Sequence, residues 1–111
     1  MSNRSFEKLL LEAVEEGLSS LGDSAKDVVY FYLEKTCNIN RQDIPYRIEE
    51  FTDAIENFFG AGAKVLEIMI MKLLYEKIGH VIEYDPEVGD LVFTEYVAAV
   101  RQTFLKKKKR A

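Results

Sequence analysis

Apolar residues recur with a helical period along most of the chain. Phe6, Leu9, Leu10, Ala13, Val14, Gly17, Leu18 and Leu21 fall on one face, with Lys8, Glu12, Glu15 and Glu16 off it. This predicts a first helix capped by Ser5 and ended by Gly22. A second helix follows at once, with Asp23 or Ser24 as its N-cap and Ala25, Val28, Val29, Tyr32, Leu33 and Thr36 as its face. The run Val28 to Leu33 also has the composition of a buried strand. The preceding cap and the Leu33-Glu34-Lys35 ending favour a helix. Tyr30 and Phe31 lie off the predicted face, which implies packing on more than one side.

Residues 38–43 have turn chemistry, and Ile44-Pro45 predicts an extended step, because a residue before proline avoids the helical region. Ile48, Phe51, Ile55, Phe58 and Phe59 then form the stripe of a third helix, with Glu49, Glu50, Asp53 and Glu56 on its other side. Gly60-Ala61-Gly62 breaks it and opens a fourth helix from about Ala63 to Ile78. That helix is apolar nearly all round, as befits the middle of a bundle or a subunit interface. Gly79 suits its C-terminal cap. Residues 81–84 have room for a short extended segment, and 85–90 have turn chemistry. Phe93, Tyr96, Val97, Val100 and Phe104 return to helical spacing, with Asp90 or Thr94 as cap. The expected fold is all-α: a compact bundle of about five helices with a central apolar fourth helix. The expected organisation is one helical domain over 1–105 and a basic tail over 106–111.

Composition narrows the chemistry. The 111 residues include one Cys, Cys37, and one His, His80. A disulfide framework is excluded, and so is almost any self-contained zinc site, which needs about four N or S ligands. Net charge is −4, but Lys106, Lys107, Lys108, Lys109 and Arg110 supply a third of the basic residues, leaving a strongly acidic body. The start of the chain has no apolar leader core. The most apolar stretch, Val65 to Tyr75, is about half a membrane span and is interrupted by Glu67 and Lys72. A cytoplasmic protein with no membrane association is expected.

Four phrases go further: Leu18-Ser19-Ser20-Leu21-Gly22-Asp23-Ser24, Asp43-Ile44-Pro45, residues 58–67 from Phe58-Phe59-Gly60 to Leu66-Glu67, and Leu74-Tyr75-Glu76-Lys77-Ile78-Gly79. Together they make residues 5–79 resemble the archaeal Nitrosopumilus output-domain type family. The resemblance implies an all-helical module, standing alone or as the output part of archaeal signalling proteins, with no enzymatic activity and no assigned functional residues.

Each candidate site has a structural reading beside the functional one. Gly60-Ala61-Gly62-Ala63-Lys64 has glycines before a helix, as an anion loop does. It lacks the Gly-Lys-Ser/Thr of a phosphate loop, and it follows a helix rather than a strand. A tight structural corner is expected, with Gly62→Ala costing stability. His80 and Cys37 lack convergent partners and are read as structural. Glu12 with Glu16 and Glu49 with Asp53 are like-charge pairs one turn apart. They form solvated faces, or else docking faces for a basic protein partner or a perch for a divalent ion. The leading functional expectation is a non-catalytic interaction module with no cofactor, metal or catalytic residue. It is expected to self-associate, as a homodimer or larger, through Val65, Ile68, Met69, Met71 and Tyr75. The alternative is a nucleic-acid-associated regulator whose polyanion contacts are Lys106, Lys107, Lys108, Lys109 and Arg110, in a tail expected to fray beyond Lys107.

Overall fold

The Ser5 side chain fixes where the chain becomes helical. In a computed structural model, which describes residues 5–78 and 92–110, Ser5 is extended and its Oγ accepts from the Lys8 N–H at 3.1 Å. Helix α1 (Phe6–Ser19) follows, burying Phe6, Leu9, Leu10, Ala13, Val14, Gly17 and Leu18. The chain turns at Gly22, whose φ of 102° is open to glycine and strained for other residues. Helix α2 (Asp23–Lys35) begins on the next residue, so Gly22 itself occupies the N-cap position, with no side-chain cap from Asp23 or Ser24.

The inward face of α2 differs from the predicted one. Val29, Tyr30 and Leu33 are buried, whereas Val28 is exposed. Tyr30 therefore belongs to the core. The Arg41 guanidinium lies 4.2 Å from its ring centroid and also reaches Glu15 at 3.6 Å. Burial, and next the Glu15 charge, push the Tyr30 phenol up to about 12, against the pull of Arg41. An aromatic ring with an arginine stacked on its face can enter a core edge that a sequence pattern assigns to valine.

Beyond α2, Asn38 adopts a left-handed φ of 57° and Ile39 bonds back to the Leu33 carbonyl at 2.8 Å, which buries the Ile39 side chain. The expected extended step at Ile44-Pro45 is instead part of a 3-10 turn, Arg41–Tyr46. The turn is short, so the N–H missing from Pro45 forfeits little bonding, and Ile44 becomes fully buried. Helix α3 (Ile48–Phe59) buries Phe51, Thr52, Ala54 and Ile55, and the Thr52 hydroxyl donates to the Ile48 carbonyl at 2.7 Å. Gly60–Gly62 form a tight 3-10 corner into α4 (Ala63–Ile78), and α5 (Phe93–Arg110) completes the bundle. Among the described residues there are five α-helices and no strand. The expectations for Gly79, His80, residues 81–84 and the 85–90 turn lie outside the described residues.

Helix α4 runs antiparallel to α1 and also packs on α3 and α5. Gly17 makes the α1 contact close: a Cβ there would stand 2.8 Å from the Cγ1 of Ile70. At the end of the crossing, Lys77 bridges Glu16 at 2.7 Å and Glu12 at 3.7 Å. Helix α5 buries Phe93, Tyr96, Val97 and Val100. Its later turns meet α1 through the Phe6–Phe104 rings, whose centroids are 6.0 Å apart, and through Arg101, which pairs with Glu7 and covers the Phe6 ring. The helical backbone continues to Arg110, beyond the fraying expected after Lys107.

The glycines give the first prediction. Gly17→Ala introduces an overpacked atom, at a typical cost of about 1–3 kcal/mol, against about 1 kcal/mol of helix propensity gained. The net effect is destabilising. Gly60 has φ 59°, so Gly60→Ala should lose about 1–3 kcal/mol through backbone strain. Gly62 has no such φ, and its added Cβ would meet only Phe59 at 3.8 Å, so the expected cost of Gly62→Ala is corrected to near neutrality. Urea unfolding of the three variants checks the order.

Candidate functional site

The C-terminal half of α3, the glycine corner, and the first turns of α4 and α5 enclose an open groove of about 540 Å³. Thr52 and Glu56 line it from α3, Gly60 and Ala61 from the corner, Ala63, Lys64 and Glu67 from α4, and Val92 and Phe93 from the start of α5. The local folding explains the arrangement. Glycine at the corner lets α4 leave α3 at once, so residues one or two turns from the corner on each helix face one another.

Glu67 is the unusual member. It lies on the buried stripe Ala63, Leu66, Ile70 and Leu74 and is only 7% exposed. Its Oε2 is buried without a hydrogen-bond partner. Such an orphaned oxygen costs about 1–3 kcal/mol, more if charged. Burial pushes its carboxyl up to about 7; a hydrogen bond with Glu56 and the Glu56 charge push the same way, while Lys64 opposes them. Two carboxyls that approach this closely hold one proton between them more easily than they hold two charges. Among the described residues, no group of three or more His, Cys, Asp or Glu side chains converges to hold a metal ion. Sequence reading treated Glu67 as an interruption of an apolar helix and Glu56 as part of a solvated face. The signal for Glu67 was its place on the inward stripe; nothing in the sequence set Glu56 against it.

The structure separates the expected interface residues. Met71 is buried in the core and is removed from that set. Ile68, Met69 and Tyr75 are half-buried, and Met69 sits against Ser20, whose Oγ is 2.8 Å from its sulfur. Only Val65 lies open, at 66% exposure. The apolar girdle of α4 is covered in part by α1, α3 and α5. The outer face of α2 carries two exposed apolar residues a turn apart. Phe31 is 64% exposed and Val28, one turn earlier, 54%. They continue into Tyr32, whose ring packs 4.9 Å from that of Phe58, and Phe58 in turn meets Phe59 at 4.8 Å.

The remaining candidates are dispersed. Cys37 is a free, half-buried thiol packed against the core. Glu12 and Glu16 share Lys77 instead of forming an uncompensated pair. Glu49 and Asp53 are exposed, as is Lys106; the side chains of residues 107–110 lie outside the described set. His80 is likewise outside it. No described helix is long and apolar enough to cross a membrane. No protein-family model matches the chain, and no curated protein or solved structure is detectably similar to it.

Glu67 makes stability depend on pH. Its folded value near 7 lies above the ordinary 4.5, so between these values the folded chain holds a proton that the unfolded chain has lost. Folding is therefore favoured at the acid end. The contribution falls as pH rises through this window, and the loss, at most about 3 kcal/mol, is complete above the folded value. Glu67→Gln should flatten this part of the profile and gain stability at pH 8. Urea midpoints of the variant and the natural protein that run parallel from pH 4.5 to 8 would refute the assignment.

Proposed function

We propose that this chain is a non-catalytic helical interaction module that pairs with a second copy of itself through the outer face of α2. The observation that carries the reading is the open Val28–Phe31 surface. Ser24, Val28, Phe31 and Lys35 are all exposed and follow one another at spacings of four, three and four. That is the spacing of a seam between two packed helices. In an antiparallel pair, Val28 of each copy meets Phe31 of the other, and the two helix dipoles oppose. Ser24 then meets Lys35, which sets the two Lys35 side chains at opposite ends of the seam, whereas a parallel pair sets them together. Such an interface is isologous and closes at two copies.

The archaeal output-domain resemblance supports the same class of function, a signalling or output module that works through protein contact. The exposed Glu49 and Asp53 on α3 leave an acidic face available to a further, basic partner. The single free thiol, Cys37, suits a reducing, cytoplasmic compartment.

Sedimentation equilibrium across the micromolar range should give a mass rising toward twice 12.8 kDa. Phe31→Glu should return it to the monomer with circular dichroism unchanged, because the ring lies outside the core. Val65→Glu should leave the dimer intact. A monomeric natural protein throughout this range, or loss of the dimer through Val65→Glu alone, would contradict the proposal.

A further inference from the structure

We propose that the groove at the α3–α4 corner binds an organic cation, a primary ammonium or guanidinium head on a short apolar stem, seated between the carboxylates of Glu56 and Glu67. Three observations lead there. Glu67 is more than nine-tenths buried, lines the groove, and keeps an Oε2 with no hydrogen-bond partner. Glu56 faces it from α3 at the exposed rim. Val92, Phe93 and Ala63 line the same space with apolar surface that suits an alkyl stem.

Other ligand classes fit less well. An anion would meet two carboxyls against one ammonium, that of Lys64. A divalent cation takes six or more oxygen ligands, and among the described residues only two carboxyls converge here. The volume, about 540 Å³, lies within the range of small-ligand sites. An ammonium head brings three N–H donors to a place with acceptors to spare.

Binding exchanges one cation for one proton. In the groove without the cation, Glu67 retains a proton below its raised value of about 7. When the cation enters, Glu67 ionises, its proton passes to solvent, and the carboxylate accepts from the bound N–H groups. Among the described residues, the charged groups that face Glu67 are Glu56 from α3 and Lys64 from α4; the groove residues from the start of α5, Val92 and Phe93, are uncharged. Affinity for the cation therefore rises with pH until Glu67 is fully ionised.

The test uses the full chain and two probes, n-butylammonium and a capped lysine peptide, with sodium chloride at equal ionic strength as the control. Nuclear magnetic resonance shifts should cluster at Thr52, Lys64, Glu67 and Phe93 for at least one probe. The affinity should gain close to tenfold per pH unit below pH 7 and level off above it. Binding of the peptide alone identifies a side chain of a protein partner as the natural cation; binding of the amine alone identifies a free amine. Glu67→Gln should weaken binding about tenfold or more and abolish the pH dependence. Glu56→Gln lies at the exposed rim, where folding is not at risk, and should weaken binding while leaving α2 pairing unaltered. Absence of groove shifts at millimolar concentrations of both probes would overturn the proposal. So would binding that both glutamine variants leave unchanged.

Discussion

The close approach of α1 and α4 at Gly17 sets the rest of the bundle. With no Cβ on Gly17, Ile70 and Leu66 settle against the α1 backbone, and the two helices pack closely. Once α4 is held there, its remaining sides are taken by α3, reached through the glycine corner, and by α5. A helix that is apolar nearly all round thereby has most of its apolar side chains buried or half-buried within one chain, with Val65 left exposed.

The same constraint leaves α2 at the periphery. It packs on α1, buries Val29, Tyr30 and Leu33, and among the described residues leaves Val28 and Phe31 exposed on its other side. Val28 and Phe31 are left open on α2, as Val65 is on α4, and the interaction proposed for the protein moves to the face that carries two such residues one turn apart. The groove has a related origin. The short corner holds α3 and α4 close, and the inward stripe of α4 carries Glu67 to the place where Glu56 comes down from α3.

Much of the fold was legible because local rules and tertiary packing agree. Ser5 caps α1 as its residue type suggests, glycines separate α3 from α4, and Phe93, Tyr96, Val97 and Val100 bury the face their spacing predicts. The failures occur where a second element decides. The run from Val28 to Leu33 is apolar in every direction, so its periodicity could not choose between Val28 and Tyr30; Arg41, distant in sequence, settles the choice by stacking on the tyrosine. Ile44-Pro45 curls into a 3-10 turn because burial of Ile44 outweighs the local preference for extended backbone. At the groove, Glu67 was visible as a charge on an inward stripe, but its carboxyl partner depends on the angle at which two helices meet.

The central claim, that the uncovered face of α2 meets a second copy of itself, is tested most directly without altering the sequence. In a mixture of isotope-labelled and unlabelled protein, filtered nuclear Overhauser spectra register only contacts between copies. The account predicts cross-peaks from the Phe31 ring of one copy to the Val28 methyls of the other. Intermolecular cross-peaks confined to Val65 and Ile68 of α4, or none at concentrations where the mass exceeds that of a monomer, would contradict it.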